Sequence, residues 1–169
     1  MYRGTSVDPR LKYQEVPCGK CMLCRIERTR EWKNRLLLEL DYWDEACFIT
    51  LTYNEENLPM DNSLDKKELQ NFFKRLRRRL GDKKIKYYAV GEYGDLHHRP
   101  HYHAIIFGCE NKEDIEDSWP FGFVQVGAVE HDSIQYVTGY IRKKLFSDMA
   151  EEVYGERTPP FSIMSQGLS

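Results

Sequence analysis

The 169-residue chain is 41% hydrophobic and 13% aromatic, enough for a single domain with a buried core. Its 25 basic and 27 acidic side chains nearly cancel, to a formal net charge of −2, which argues against a uniformly basic nucleic-acid binder. No apolar run reaches the length of a membrane span and no charged-then-apolar leader is present, so a cytosolic protein without a membrane partner is expected, its five cysteines thiols or ligands and not disulfides.

The first feature in chain order is Cys18-Gly19-Lys20-Cys21-Met22-Leu23-Cys24. Cysteines spaced C-x2-C-x2-C can bring three thiolates together, but a ferredoxin-type run needs a fourth cysteine where Arg28 stands, which argues against an iron–sulfur cluster. Two readings remain. A structural zinc held by Cys18, Cys21 and Cys24, completed by Cys47, Cys109 or a histidine, would staple the following helix to the sheet; otherwise these are ordinary thiols. The helix is expected from Met22 to Tyr42, with Ile26, Leu36, Leu37 and Leu40 apolar and Arg25, Arg28, Arg30 and Arg35 on its polar side. Residues 1–45 thus read as an N-terminal extension to the domain.

A strand over 47–53 and a Pro/Asn-containing loop lead to a helix from Asp65 to Leu80, whose buried stripe is Leu69, Phe72, Phe73, Leu76 and Leu80. Its other side and the residues just after it are basic. Lys74, Arg75, Arg77, Arg78, Arg79, Lys83, Lys84 and Lys86 place eight cations within thirteen positions, while acids collect in 110–117 and 148–156. Segregation of this kind can build a phosphate-binding face despite the acidic total, although a solvated helix surface accounts for the same pattern.

Next come strand-like runs at Lys84–Val90 and at Pro100-His101-Tyr102-His103-Ala104-Ile105-Ile106-Phe107. Side chains alternate along a strand, so His101 and His103 project to one face and Tyr102 to the other. The connection between the runs is short, and hairpin pairing brings Glu92, in Gly91-Glu92-Tyr93-Gly94, beside the histidine strand. Two imidazoles and a carboxylate with open positions suit a catalytic divalent ion, Mn²⁺ or Mg²⁺, better than a closed structural site, and ligand type alone also admits zinc. His97 and His98, in the loop, are alternatives to Glu92 as third ligand.

After a polar acidic connection and a strand near Gly122–Val129, a helix is expected from Asp132 to Phe146, opened by a capping box of Asp132 and Gln135. Taking Ile134 as origin, Ile134, Val137, Ile141 and Leu145 fall at about 300° to 20° around the axis, and Lys143, Tyr136 and Tyr140 at about 180°, 200° and 240°. The two tyrosines and the lysine are therefore expected to share a face that is not the core. A tyrosine hydroxyl, with an ordinary pKa of about 10, needs a nearby cation to act as a nucleophile.

In order, Phe48-Ile49-Thr50-Leu51-Thr52-Tyr53, Arg99-Pro100-His101-Tyr102-His103 and Tyr136-Val137-Thr138-Gly139-Tyr140-Ile141-Arg142-Lys143-Lys144 resemble the three motifs of the HUH endonuclease superfamily, and most closely the replication initiators of microviruses, especially gokushoviruses. The resemblance runs from about Pro17 onward, departing in the aromatic Tyr102 between the histidines. It implies an α+β fold, a central antiparallel sheet of about five strands like the palm of an RNA-recognition module, with helices expected on one face. It also implies the function: metal-assisted nicking and rejoining of single-stranded DNA at a replication origin through a 5′-phosphotyrosine, in a bacterial host's cytoplasm, by a monomer that works with host replication proteins. Glu92, His101 and His103 would hold the ion. Tyr140 is the preferred nucleophile because Tyr140-x-x-Lys143 matches the YxxK form, Tyr136 alternates with it, and Lys144 joins the basic helix in phosphate contact. A transposase or relaxase of the same superfamily, or a non-catalytic metal-containing DNA-binding regulator, would use the same residues differently. The phage initiators continue past Pro159-Pro160-Phe161, so a catalytic domain of a longer protein is expected.

Overall fold

Strict alternation along the strands builds one sheet with two different faces. The structure, a computed structural model, describes residues 2–4, 14–143 and 147–168. In chain order the elements are β1 (Tyr2–Gly4), β2 (Gln14–Val16), α1 (Met22–Leu40), β3 (Ala46–Tyr53), α2 (Lys66–Leu80), β4 (Lys86–Tyr93), β5 (Pro100–Phe107), α3 (Lys112–Ser118), β6 (Gly122–Gly127), α4 (His131–Lys143), α5 (Ser147–Tyr154) and β7 (Phe161–Met164). β1 and β2 form a small antiparallel pair, and the other five strands form an antiparallel sheet in the order β6-β3-β5-β4-β7. This is the α+β sheet expected from the sequence, with β7 as a fifth strand that the chain's Pro-Pro-Phe segment did not announce.

Helices cover both faces of the sheet, not one. Odd-numbered residues of β3 (Cys47, Ile49, Leu51, Tyr53) pack with Tyr102, Ala104 and Ile106 of β5 against α2 and Ile115 of α3. The opposite face buries Tyr88, Val90, Ile105 and Phe107 under Leu36 of α1 and Ile134, Val137, Tyr140 and Ile141 of α4. The sequence supplies two apolar sets of helices, and a sheet whose strands are apolar on both sides buries both. α1, within the segment read as an extension, is thus part of the second core.

Local signals hold most elements in place. The Asp65 carboxylate accepts from the Glu68 backbone N–H at 3.0 Å and caps α2, which ends at Gly81 with φ +64°. α4 begins at His131, so Asp132 lies in its first turn instead of at the cap, and the Ser133 hydroxyl accepts from the Glu130 N–H at 3.0 Å. Gly122 is required by crowding: a Cβ there would lie 2.1 Å from the Thr52 carbonyl oxygen.

Candidate active site

Register assembles the site across three strands. Glu92 of β4 stands opposite His101 of β5, His101 opposite Thr52 of β3, and His103 opposite Thr50. All project to the face covered by α4. One ligand atom each from Glu92, His101 and His103 lie within 4.8 Å of one another, whereas His97 and His98 are exposed and join no such group among the described residues.

Second partners fix both rings. The Nδ1 of His101 lies 3.3 Å from the Arg99 carbonyl, which can only accept, so Nδ1 carries the proton and Nε2 is free to ligate. The Nδ1 of His103 is 3.0 Å from the Thr50 hydroxyl, and its ring stacks on Phe48 with centroids 5.7 Å apart. Burial, and then the neighbouring His101, push His103 down to about 3, so it is a neutral imidazole, the form a metal binds, at any physiological pH.

The Tyr136 hydroxyl points into this group. It donates to Glu92 Oε2 at 3.1 Å and lies 3.4 Å from His103 Nε2, while the Lys143 ammonium sits 6.0 Å from the centre of its ring. Desolvation, followed by the Glu92 charge, pushes this phenol up to about 12. Tyr140 is placed differently. Only 4% exposed, it belongs to the core and is held above the ordinary tyrosine range by burial, with the Ser162 hydroxyl and the Arg28 guanidinium acting against that shift. The expectation that both tyrosines share an uncovered face therefore fails for Tyr140. α4 is covered by the sheet on one side and by α1 on another, which widens its buried arc to take in Tyr140 and Thr138. Tyr140 still lines, with Glu92, His101, Tyr136 and Lys143, a cleft of about 380 Å³.

A family model for replication-associated protein ORF2 matches residues 46–145, a span that holds every group just described. The chain belongs to the replication-associated protein ORF2 family. It is 32% identical, over 86% of its own length and 53% of the relative's, to replication-associated protein VP4 of Bdellovibrio phage phiMH2K. It is 33% identical to replication-associated protein ORF4 of Chlamydia phage 1, over 76% of this chain and 38% of that one, and 34% identical to replication-associated protein ORF2 of Spiroplasma virus 4, over 77% and 48%. The chain thus spans about half the length, or less, of these relatives. No solved structure matches it.

The basic helix of this ORF2-family chain lies on the other face of the sheet from Glu92, His101 and His103. Arg79 pairs with Asp114 at 2.6 Å and Asp117 at 2.7 Å, Arg75 donates to the Ser118 carbonyl at 2.9 Å and stacks on Phe121, and Arg77 stacks on Tyr87. The charge runs that look segregated along the sequence meet in space, α2 cations against α3 acids. Lys74 and Arg78 remain exposed on that far face, and Lys144 and Leu145 lie outside the described residues.

Two residues beside the site had gone unremarked. Phe123 and Gln125 of β6 stand opposite Thr52 and Thr50, so Phe123, Thr52, His101 and Glu92 form one row across the sheet. Phe123 is 67% exposed and Gln125 is exposed, while Val124 and Val126 between and after them pack into the core. An aromatic facing outward in an otherwise regular alternation was the available signal.

The cysteines divide into two sets. Cys47 and Cys109 are buried in the core beneath α2 and cannot complete a site at the start of α1. Cys18, Cys21 and Cys24 converge, with ligand atoms within 4.8 Å of one another. Among the described residues no helix is long and apolar enough to cross a membrane.

Proposed function

We propose that this chain is the catalytic part of a replication initiator of the HUH type, a metal-dependent endonuclease and strand transferase acting on single-stranded DNA. One observation carries the reading: an exposed tyrosine hydroxyl donates into a His-His-Glu group whose ligand atoms converge within 4.8 Å. The donor set fits a divalent ion. Both histidines are oriented through Nδ1 with Nε2 available, His103 is neutral, and the carboxylate supplies a hard oxygen suited to Mn²⁺ or Mg²⁺. An ion held by Glu92, His101 and His103 supplies positive charge against a phosphodiester oxygen and takes up the Glu92 charge that opposes a Tyr136 phenolate.

The remaining chemistry belongs to the chain. Tyr136 holds its proton at neutral pH and gives it up through Glu92, to which it already donates, as its oxygen attacks phosphorus. The bond from phosphorus to the 3′ oxygen breaks, the 3′ oxygen takes up a proton, and the 5′ phosphate stays on the tyrosine. Lys143, near the ring, favours the developing phenolate. One phosphoester replaces another, so the later rejoining needs no nucleotide. Tyr140, one turn on, lines the same cleft and is assigned the second transfer, after a rotamer change brings its hydroxyl outward. Bases flanking the scissile phosphate stack on Phe123 and bond to Gln125 along the sheet row that leads to the ligands. In keeping with the phage origin of the relatives, the site of action is the cytoplasm of an infected bacterium.

The test uses a pool of 3′-labelled single-stranded oligonucleotides with Mn²⁺. A covalent label on the protein that survives denaturing gels and is lost in chelator supports the enzyme. Binding without any covalent label supports a DNA-binding regulator instead.

A further inference from the structure

We propose that Cys18, Cys21 and Cys24 form a second, thiolate-rich metal site, for Zn²⁺, which clamps the start of α1 to the end of the tyrosine helix. The sulfurs of Cys18 and Cys24 are 3.8 Å apart, and those of Cys21 and Cys24 are 3.4 Å apart. Zinc binds thiolates at about 2.3 Å in a tetrahedron, which places neighbouring sulfurs about 3.8 Å apart. The three thiols therefore outline one face of a zinc tetrahedron.

The backbone around them has the form of a ligating turn. Gly19, at φ +72°, folds the chain back, and the Cys21 N–H donates to the Cys18 sulfur at 3.3 Å. Cys21 occupies the N-cap of α1, where Ser, Thr, Asp or Asn is the usual choice, yet its side chain makes no capping bond. No acidic residue stands in the first turn of α1 to meet its positive end, which favours thiolates instead. Unlike Cys47 and Cys109, which are buried, Cys21 is exposed and Cys18 and Cys24 are half-buried, so burial does not account for them. The fourth position opens toward solvent beside Cys21, where a water can take it.

The adjoining arginine links this turn to the catalytic helix. Arg25 donates from Nε to the Lys20 carbonyl at 3.0 Å and from Nη1 to the Arg142 carbonyl, in the last turn of α4, at 3.3 Å. Tyr136 is carried by that same helix. Metal in the turn fixes Lys20 and Arg25, and through them the end of α4.

The experiment measures metal in the full chain purified without added metal and again after Zn²⁺ reconstitution and desalting. About one equivalent of zinc is expected, falling at least tenfold in Cys21→Ser and in Cys24→Ser, with folding checked by circular dichroism. His103→Ala should keep its zinc, which separates this site from the Glu92 group and makes the result independent of the nicking reading. Stripping the zinc should speed amide exchange in the first turns of α1 and the last turn of α4 while leaving β3 and β5 protected. No zinc after reconstitution, or equal retention by both cysteine variants, overturns the site. Unchanged exchange in α1 and α4 overturns the clamp.

Discussion

Thr50→Val isolates how the site is held together, because the two side chains have nearly the same shape and differ at the hydroxyl. That hydroxyl lies 3.0 Å from His103 Nδ1, and His103 is only 9% exposed. Water has little room to replace it, and an unpaired buried nitrogen costs about 1–3 kcal/mol. His103 must also present Nε2 toward the other ligands, and losing a partner of this kind weakens metal binding by about 10- to 100-fold, or about 1.4–2.8 kcal/mol, in the same range. Calorimetric titration of Mn²⁺ into wild type and Thr50→Val should show that loss, with stability lowered by no more than about 3 kcal/mol. An unchanged Mn²⁺ affinity in a folded variant would refute the role given to this bond and count against His103 as a ligand.

Other expectations follow from the same geometry. Tyr136→Phe should abolish the first covalent adduct with stability within about 0.5 kcal/mol of wild type, as its side chain is partly exposed, whereas Tyr140→Phe should lower stability by about 1 kcal/mol and still form that adduct; the reverse pattern on denaturing gels would exchange their roles. In chelator-treated protein His103 sits at about 3 while the unfolded chain takes that proton near pH 6.5, so the unfolded state binds more protons in between. Stability should then fall with pH below about 6.5, by up to about 1.4 kcal/mol per unit, and thermal melts of His103→Gln should show a flatter slope; equal slopes would contradict it. Phe123→Ala should weaken single-stranded DNA binding by about 1–3 kcal/mol, while Lys74→Ala with Arg78→Ala should change it less than twofold, as fluorescence anisotropy can determine.

The legible parts of this molecule are those set by short-range periodicity. Period-two alternation put His101 and His103 on one face, and the short connection put Glu92 beside them, with no knowledge of sheet order needed. What escaped depends on partners distant in sequence. Tyr140 looks uncovered on a helical wheel, and only the packing of α1 on α4 buries it. Arg75 and Arg79 look like a phosphate-binding row until α3 folds alongside and supplies a carbonyl and two carboxylates. β7 is four residues long and follows two prolines, too little for a strand signal, yet it edges the sheet and brings Ser162 toward Tyr140. Phe123 is an ordinary strand aromatic until the register places it in a row with His101.

Peptide mapping of the covalent adduct bears most directly on the central claim. After reaction with a single-stranded oligonucleotide and Mn²⁺, nuclease trimming and proteolysis, mass spectrometry should find a nucleotide phosphate on the peptide carrying Tyr136, absent from the chelator control and from His103→Ala. A fully bound oligonucleotide with no modified tyrosine, or a modification that persists without metal and without His103, would contradict the account.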